Sequence, residues 1–140
     1  MVTSKQALEK FGPPELERNM SVLALEELRK FIPALPSRVY CNNQLKQPLL
    51  TALDNVVKRG LFAEIKSWNG CFNIRKKKAG STPSLHSWGL AIDINAADNG
   101  FNKPPTMSRE LVQCFKDAGF DWGGDWRTPD GMHFQLSKLG

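Results

Sequence analysis

The chain has 140 residues, of which 41% are hydrophobic, and its lysines and arginines exceed its aspartates and glutamates by five. This length suits one ordinary domain with its own core, and the apolar share excludes wholesale disorder. No run approaches the roughly 18 apolar residues that span a bilayer, and residues 1–10 lack the apolar core of a signal peptide. We therefore expect a chain made in a cytoplasm, without membrane insertion, and we expect it to be a monomer.

The first third of the chain predicts two helices and a strand. Residues 4–11 are a helical stretch that Gly12-Pro13-Pro14 ends. In residues 21–32 the apolar side chains recur at helical spacing, which predicts a second helix. Residues 39–41 predict a short strand.

The middle of the chain predicts a longer helix, a strand and a loop. Pro48 suits a first helical turn and Gly60 suits the position just past a helix end, with an apolar stripe between them. Apolar and polar residues alternate over 62–68, which predicts a strand. Residues 69–85 are rich in Gly, Asn, Lys, Ser and Pro and predict a loop.

Two predicted strands near the C-terminus each carry a possible metal ligand. In residues 90–94 a period of two puts Asp93 on the face opposite the large apolar side chains. In residues 132–136 the same period puts His133 and Gln135 on the face opposite the core.

Between these strands we expect a loop over residues 95–107 and a helix that Ser108 caps and Gly119 closes. Strands that do not alternate regularly with helices predict an α+β fold with a small, mostly antiparallel sheet flanked by helices. We expect a single domain over residues 1–140, in which residues 1–37 form a helical extension.

The three cysteines, Cys41, Cys71 and Cys114, are an odd number and include no Cys-x-x-Cys pair. This pattern argues against a disulfide framework or a thiolate zinc site. We favour buried reduced thiols, with a bridge between Cys41 and Cys71 as the alternative.

The run Arg75-Lys-Lys-Lys78 carries part of the positive excess. It is either a solvated loop or a patch that attracts an anionic polymer, a nucleic acid or a cell wall. No aromatic interleaving and no nucleic-acid motif accompany the run, so we expect no specific nucleic-acid partner.

The only two histidines, His86 and His133, each have a carboxylate nearby: Asp93 lies seven residues after the first and Asp130 three residues before the second. Two imidazoles and one carboxylate are a common ligand set of catalytic zinc sites, which keep a fourth position open for water. His86 and Asp93 would lie on opposite faces of one continuous strand, so a turn must separate them, and Gly89 can supply it. The spacing alone favours a metal site only slightly over a surface histidine near a strand.

Residues 84–93, Ser-Leu-His-Ser-Trp-Gly-Leu-Ala-Ile-Asp, fit the pattern Ser-x-His-x-x-Gly-x-Ala-x-Asp. This pattern resembles the zinc signature of the D-alanyl-D-alanine carboxypeptidase and L-alanyl-D-glutamate endopeptidase family. Asp130-Gly-Met-His133 resembles the second motif of that family, and residues 121–126 are similar to the segment before it in small phage endolysins. The resemblance covers residues 38–138 and implies the fold that these peptidases share with the hedgehog domains.

The resemblance implies that His86, Asp93 and His133 bind one zinc ion per chain. It also implies that Asp130 is the general base and acid, at a position where many relatives have Glu. Asp125 is an alternative base, but it lies eight residues before His133, which favours a role in capping or orienting a loop.

The resemblance also implies roles for Arg75 and Ser84. Arg75, in Phe72-Asn-Ile-Arg75, would stabilise a tetrahedral oxyanion, or it is one more solvated charge of the basic loop. Ser84 would steady the site by hydrogen bonding. Four tryptophans are candidates for a substrate cleft or for partial core: Trp68, Trp88, Trp122 and Trp126.

The function that the resemblance implies is a zinc peptidase that hydrolyses the stem peptides of peptidoglycan. Small members without a signal peptide are phage endolysins, which cut between L-alanine and D-glutamate and reach the wall through a membrane lesion made by another protein. One alternative is a D-alanyl-D-alanine carboxypeptidase or dipeptidase, which the motifs do not separate from an endolysin. Another is a non-catalytic, zinc-stabilised binding module, against which the acidic Asp130 and the lack of a fourth ligand argue.

Overall fold

The computed structural model describes residues 1–140. The helices are α1 (Ser4–Phe11), α2 (Glu26–Arg29), α3 (Asn43–Lys58) and α4 (Arg109–Lys116). The strands are β1 (Met20–Ala24), β2 (Arg38–Asn42), β3 (Trp68–Gly70), β4 (Ala91–Ile94), β5 (Phe120–Trp122) and β6 (His133–Leu136). Short 3-10 helices lie at Pro14–Leu16, Phe62–Glu64, Leu85–Trp88, Ala96–Asp98 and Gly123–Asp125. None of the helices has the length and apolar character that crossing a membrane requires.

The strands form two sheets in which every neighbouring pair is antiparallel. β1 pairs with β2, and the second sheet has the order β3-β4-β6-β5. In this second sheet Asp93 of β4 lies directly opposite His133 of β6. The arrangement confirms the predicted α+β fold with a small antiparallel sheet and flanking helices.

Several predicted elements are confirmed because their signals are local. Helix α1 begins after Thr3, whose side chain forms a capping box with Gln6. Helix α4 begins after Ser108, whose hydroxyl accepts the backbone N–H of Leu111. The strands expected over 39–41, 90–94 and 132–136 are present with slightly shifted ends.

The helix predicted over residues 21–32 is wrong. Residues 20–24 form β1, which pairs with β2 from Met20 opposite Asn42 to Ala24 opposite Arg38. Along β1, Val22 is half exposed and Leu23 is buried, an alternation with the period of a strand. Only Glu26–Arg29 is helical, so the apolar spacing that suggested a longer helix was fortuitous.

Helix α3 is longer than predicted. It begins after Asn42, whose side chain accepts the N–H of Gln44, so Pro48 stands inside the helix rather than in its first turn. Because proline has no backbone N–H, the helix lacks one of its hydrogen bonds at this position. The other bonds of the 16-residue helix are enough to maintain it. Gly60 lies past the end as expected, with a positive φ of 71°.

The strand predicted over residues 62–68 is also wrong, and β3 begins only at Trp68. The side chain of Asn95 explains the difference. Its oxygen accepts the N–H groups of Lys66 and Ser67, and its nitrogen donates to the carbonyl of Glu64. Because a side chain satisfies these backbone groups, the segment needs no neighbouring strand.

A single hydrophobic core runs through the molecule, and helices α3 and α4 and the second sheet contribute many of its buried side chains. Phe134 of β6 stacks on Phe115 of α4, with ring centroids 4.4 Å apart. Since side chains alternate along a strand, His133 and Gln135 point to the other face of the sheet. All three cysteines are buried free thiols, as favoured, and burial raises the pKa of Cys41 to about 11.

The N-terminal segment packs against the part of the molecule that carries the two histidines. Ala7 and Phe11 of α1 are buried, and the indole N–H of Trp88 donates to the carbonyl of Gly12 at 2.8 Å. The hydroxyl of Ser4 also donates to the carbonyl of Pro83. The segment therefore contacts both ends of the turn Leu85–Trp88.

Candidate metal centre

A tight turn between Ser84 and Gly89 presents His86. The side chain of Ser84 accepts the backbone N–H of His86, which begins the 3-10 helix. Gly89 ends it with φ +66°, and a Cβ there would lie 2.7 Å from the backbone nitrogen of Asn42. Only glycine fits both the left-handed conformation and this close approach, as the sequence predicted for the turn.

The turn and the β4–β6 register bring His86, Asp93 and His133 together. The Nε2 atom of His86 lies 3.2 Å from Oδ2 of Asp93, and Nδ1 of His133 lies 3.4 Å from Oδ1. The two ring nitrogens are 3.2 Å apart. All three side chains are buried, and one ligand atom from each lies within 4.8 Å of the others.

Outer hydrogen bonds fix which nitrogen of each imidazole carries the proton. Nδ1 of His86 lies 2.7 Å from the carbonyl oxygen of Cys71, which only accepts, so this nitrogen donates and Nε2 keeps its lone pair. Nε2 of His133 lies 2.9 Å from Oε1 of Gln135. The amide of Gln135 is oriented in turn, because its nitrogen donates to the carbonyl of Val2 at 3.2 Å. Nδ1 of His133 therefore keeps its lone pair as well.

The residues fit a divalent cation of the zinc type. Two nitrogen lone pairs and one carboxylate converge in a buried space, and Oδ1 of Asp93 has no hydrogen-bond partner. Such a convergence of electron-rich atoms is unfavourable unless a cation lies between them. Burial by itself would raise the pKa of Asp93, and contacts with His133 and His86 outweigh burial and lower it only where those rings hold a proton towards the carboxylate. With both lone pairs turned inward, a cation would favour the ionised carboxylate in the same way.

A cleft of roughly 380 Å³ opens beside His133. Residues 1–3 of the N-terminal segment and several residues of the basic loop, defined here as residues 75–83, form parts of its wall. The charged side chains in the wall are Arg75, Lys77, Lys78, Arg127 and Asp130. Four cations against one carboxylate make the cleft attractive to anionic groups.

Asp130 lies in this cleft, with a side chain only 8% exposed. Its backbone oxygen accepts the N–H of His133 at 3.0 Å, so a single turn joins the two residues. Its carboxylate forms an ion pair with Lys78, 3.1 Å from Nζ to Oδ1. Asp125, the alternative base, is exposed and pairs with Lys116 outside the cleft wall.

Arg75 and Ser84 both lie at the site. The guanidinium of Arg75 lies 4.0 Å from Oδ2 of Asp93, and its backbone N–H and carbonyl both bond to the hydroxyl of Ser87. Ser84 is buried, and its contact is with the backbone of His86 rather than with the imidazole ring. Arg75 therefore lies in the cleft wall beside Asp93, and Ser84 shapes the turn that presents His86.

Of the four tryptophans, only Trp126 lies in the cleft wall. Its ring centroid is 5.2 Å from that of His133. Trp88 and Trp122 donate their indole N–H groups to the carbonyls of Gly12 and Gly131, and Trp68 packs against the core. These three are structural.

Three contacts at the site are not predicted by any strong sequence signal. They join Lys78 to Asp130, Val2 to Gln135, and Gln135 to His133. Nothing distinguishes Lys78 from its basic neighbours, and nothing marks the carbonyl of Val2. The strand period did place Gln135 on the face of His133, which was the one available hint that their side chains could meet.

The comparison with known families agrees with this geometry. Residues 77–136 match a family model described as D-alanyl-D-alanine carboxypeptidase. The matched range contains His86, Asp93, Asp130 and His133, whereas Arg75 lies just before it. The match confirms the resemblance predicted from residues 84–93 and supports a hydrolase of the peptidase type.

Proposed function

We propose that this chain is a zinc-dependent peptidase that hydrolyses peptide bonds in the stem peptides of peptidoglycan. The observation that carries the proposal is that the buried set of His86, Asp93 and His133 borders, through His133, the same cleft that Asp130 lines. A metal-ligand set and a separate carboxylate at one opening are what hydrolysis of an amide requires.

A zinc ion bound to the three ligands would act as a Lewis acid, polarising the scissile carbonyl and acidifying the attacking water. Cys71 and Gln135 hold the two imidazoles in the tautomers that this ligation needs. Asp130 accepts a proton from the attacking water while the oxygen of that water bonds to the carbonyl carbon. It then delivers this proton to the amine nitrogen as the C–N bond breaks. The guanidinium of Arg75 stabilises the negative charge that develops on the carbonyl oxygen.

A catalytic role explains the donor set better than a structural one. Structural zinc is usually closed by four protein ligands, but only three His, Asp or Cys side chains converge here. The three thiols are buried, and burial raises the pKa of Cys71 well above its ordinary value, which disfavours the thiolate that a metal needs. A non-catalytic binding module would also have no use for Asp130 at the cleft.

The specific activity that we propose is L-alanyl-D-glutamate endopeptidase, acting as a phage endolysin in host cell lysis. The similarity of residues 121–126 to small endolysins supports it, and the net charge of +5 favours encounter with an anionic wall. The second candidate is a D-alanyl-D-alanine carboxypeptidase, which the description of the matching family favours.

Product analysis on purified peptidoglycan tests these alternatives. The zinc-loaded protein should release fragments in which L-alanine on the glycan side has a free carboxyl group. Release of D-alanine instead would support the carboxypeptidase. Full zinc binding without any cleavage would support the binding module. The Asp130→Asn variant is the matched control, since it keeps the metal ligands and removes the base.

A further inference from the structure

Lys78 is the one cation that forms an ion pair with Asp130. Its ammonium also lies 3.5 Å from the sulfur of Met132 and 5.7 Å from the centre of the Phe101 ring. Its side chain is 29% exposed, and that of Asp130 only 8%. The pair is therefore sheltered by the cleft, unlike the freely solvated pairs that contribute little.

The backbone of the basic loop determines where Lys78 lies. Lys76 and Pro83 form an antiparallel bridge, and the N–H of Lys77 donates to the carbonyl of Thr82 at 2.8 Å. At the base of the loop, the N–H of Ser84 donates to the carbonyl of Arg75 at 2.8 Å. The loop thus closes at the residue that begins the turn of His86.

The ammonium of Lys78 can accept another anionic partner. A lysine has three N–H donors, and here one carboxylate and one weakly accepting thioether contact it. Arg75, Lys77 and Arg127 add positive charge to the same cleft wall. A carboxylate that enters the cleft can therefore join Lys78 without displacing Asp130.

The role of Asp130 in the proposed function tells which substrate group comes near Lys78. The carboxylate that protonates the leaving amine must lie beside the amine nitrogen. In both candidate reactions that nitrogen is attached to a carbon that carries a free α-carboxylate. For the carboxypeptidase it is the carboxylate of the terminal D-alanine. For the endopeptidase it is the α-carboxylate of D-glutamate, which stays free because stem peptides link this residue through its side-chain carboxyl.

We propose that Lys78 binds the α-carboxylate of the residue that supplies the leaving amine. Resting on the proposed function, this makes Lys78 a specificity-determining residue that selects peptides with a free carboxylate at that position. A peptide in which the same carboxyl is an amide places a neutral group beside the ammonium and loses the charge-assisted hydrogen bond.

The test uses synthetic peptides in pairs that differ only in this carboxyl group, free or amidated, for both the L-alanyl-γ-D-glutamyl and the D-alanyl-D-alanine bond. The zinc-loaded wild type should prefer the free acid by about 10- to 100-fold in kcat/KM. In Lys78→Met this preference should collapse towards one, mainly through a higher KM for the free acid. Lys78→Arg should keep much of the preference, because it keeps the charge.

Lys76→Met is the matched control, because it removes the same charge from the same loop but Lys76 is not part of the cleft wall. It should keep the full preference. The proposal is overturned if Lys78→Met, with its zinc bound, still prefers the free acid as the wild type does. An equal loss of kcat on both peptides would also overturn it, because it would show that the lysine only supports Asp130. If the wild type cleaves neither peptide of either pair, the proposed function fails and this inference falls with it.

Discussion

The metal centre and the basic loop meet at the same cleft but are held in different ways. The three candidate ligands are buried, and each imidazole has an outer hydrogen bond that selects its tautomer. Residues 76–82 are largely exposed, and their conformation depends on a few backbone bonds. Under the proposed function, we expect bond cleavage to depend on the buried ligands and the choice of substrate to depend on the exposed loop. Substitutions among the candidate ligands should therefore lower the rate of cleavage, whereas substitutions in the loop should change which substrates are preferred.

The largest effect is expected from His86→Ala. Loss of one of three ligands leaves an incomplete site, so zinc content after dialysis should fall well below one ion per chain and hydrolysis by orders of magnitude. Metal analysis and peptidoglycan clearing measure the two quantities, with circular dichroism to show that the fold persists. A variant with full zinc content and full lysis would disprove the metal centre.

Asp130→Asn separates metal binding from proton transfer. We expect retained zinc and a kcat lower by about 10²- to 10⁴-fold, because the amide cannot accept the proton of the attacking water. Asp125→Asn is the matched control, since it makes the same change at a carboxylate that pairs with Lys116 on the surface. Unchanged turnover in Asp130→Asn would show that another group is the base.

Gln135→Leu tests the outer hydrogen bond of His133. Without the acceptor for Nε2–H, the imidazole is free to change its tautomer, and zinc affinity should fall by about 10- to 100-fold. Competition with a chelator measures the affinity, and ¹⁵N chemical shifts of the zinc-free protein report the tautomer. Gln113→Leu on the exposed side of α4 is the control. Equal zinc affinities in the two variants would show that Gln135 does not contribute to metal binding.

The smallest effect is expected from Lys76→Met. Exposed charges act at long range and are screened by salt, so the clearing of intact peptidoglycan should become less dependent on ionic strength. Turnover of short peptides should not change. A large loss of kcat in this variant would contradict the division of roles between the loop and the metal centre.

The sequence predicted those parts of the fold whose signals are local. Ser108 and the residues around Gly12 mark helix ends by their own chemistry, and the strands around Asp93 and His133 show a clear period. The helix predicted over residues 21–32 is wrong because the partner that makes β1 a strand is β2, a separate segment. The strand predicted over residues 62–68 is wrong because Asn95, distant in sequence, satisfies the backbone of that segment.

The sequence predicted which residues form the candidate site, but it could not predict how the fold brings them together. Spacing could not join His86 to Asp93, which required the turn at Gly89 and the pairing of β4 with β6. The contact between Lys78 and Asp130 spans 52 positions and involves a loop without a periodic pattern. No local rule relates two such residues.

The hydrogen bonds from Val2 through Gln135 to His133 connect the first residues of the chain to a candidate metal ligand. Docking of this segment and occupancy of the metal site are therefore thermodynamically linked, and each favours the other by the same free energy. Zinc should slow amide hydrogen exchange in Ser4–Phe11, although no residue of that helix is a ligand. By the same reciprocity, a substitution that undocks the segment, such as Phe11→Asp at a buried position of α1, should weaken metal binding from a distance.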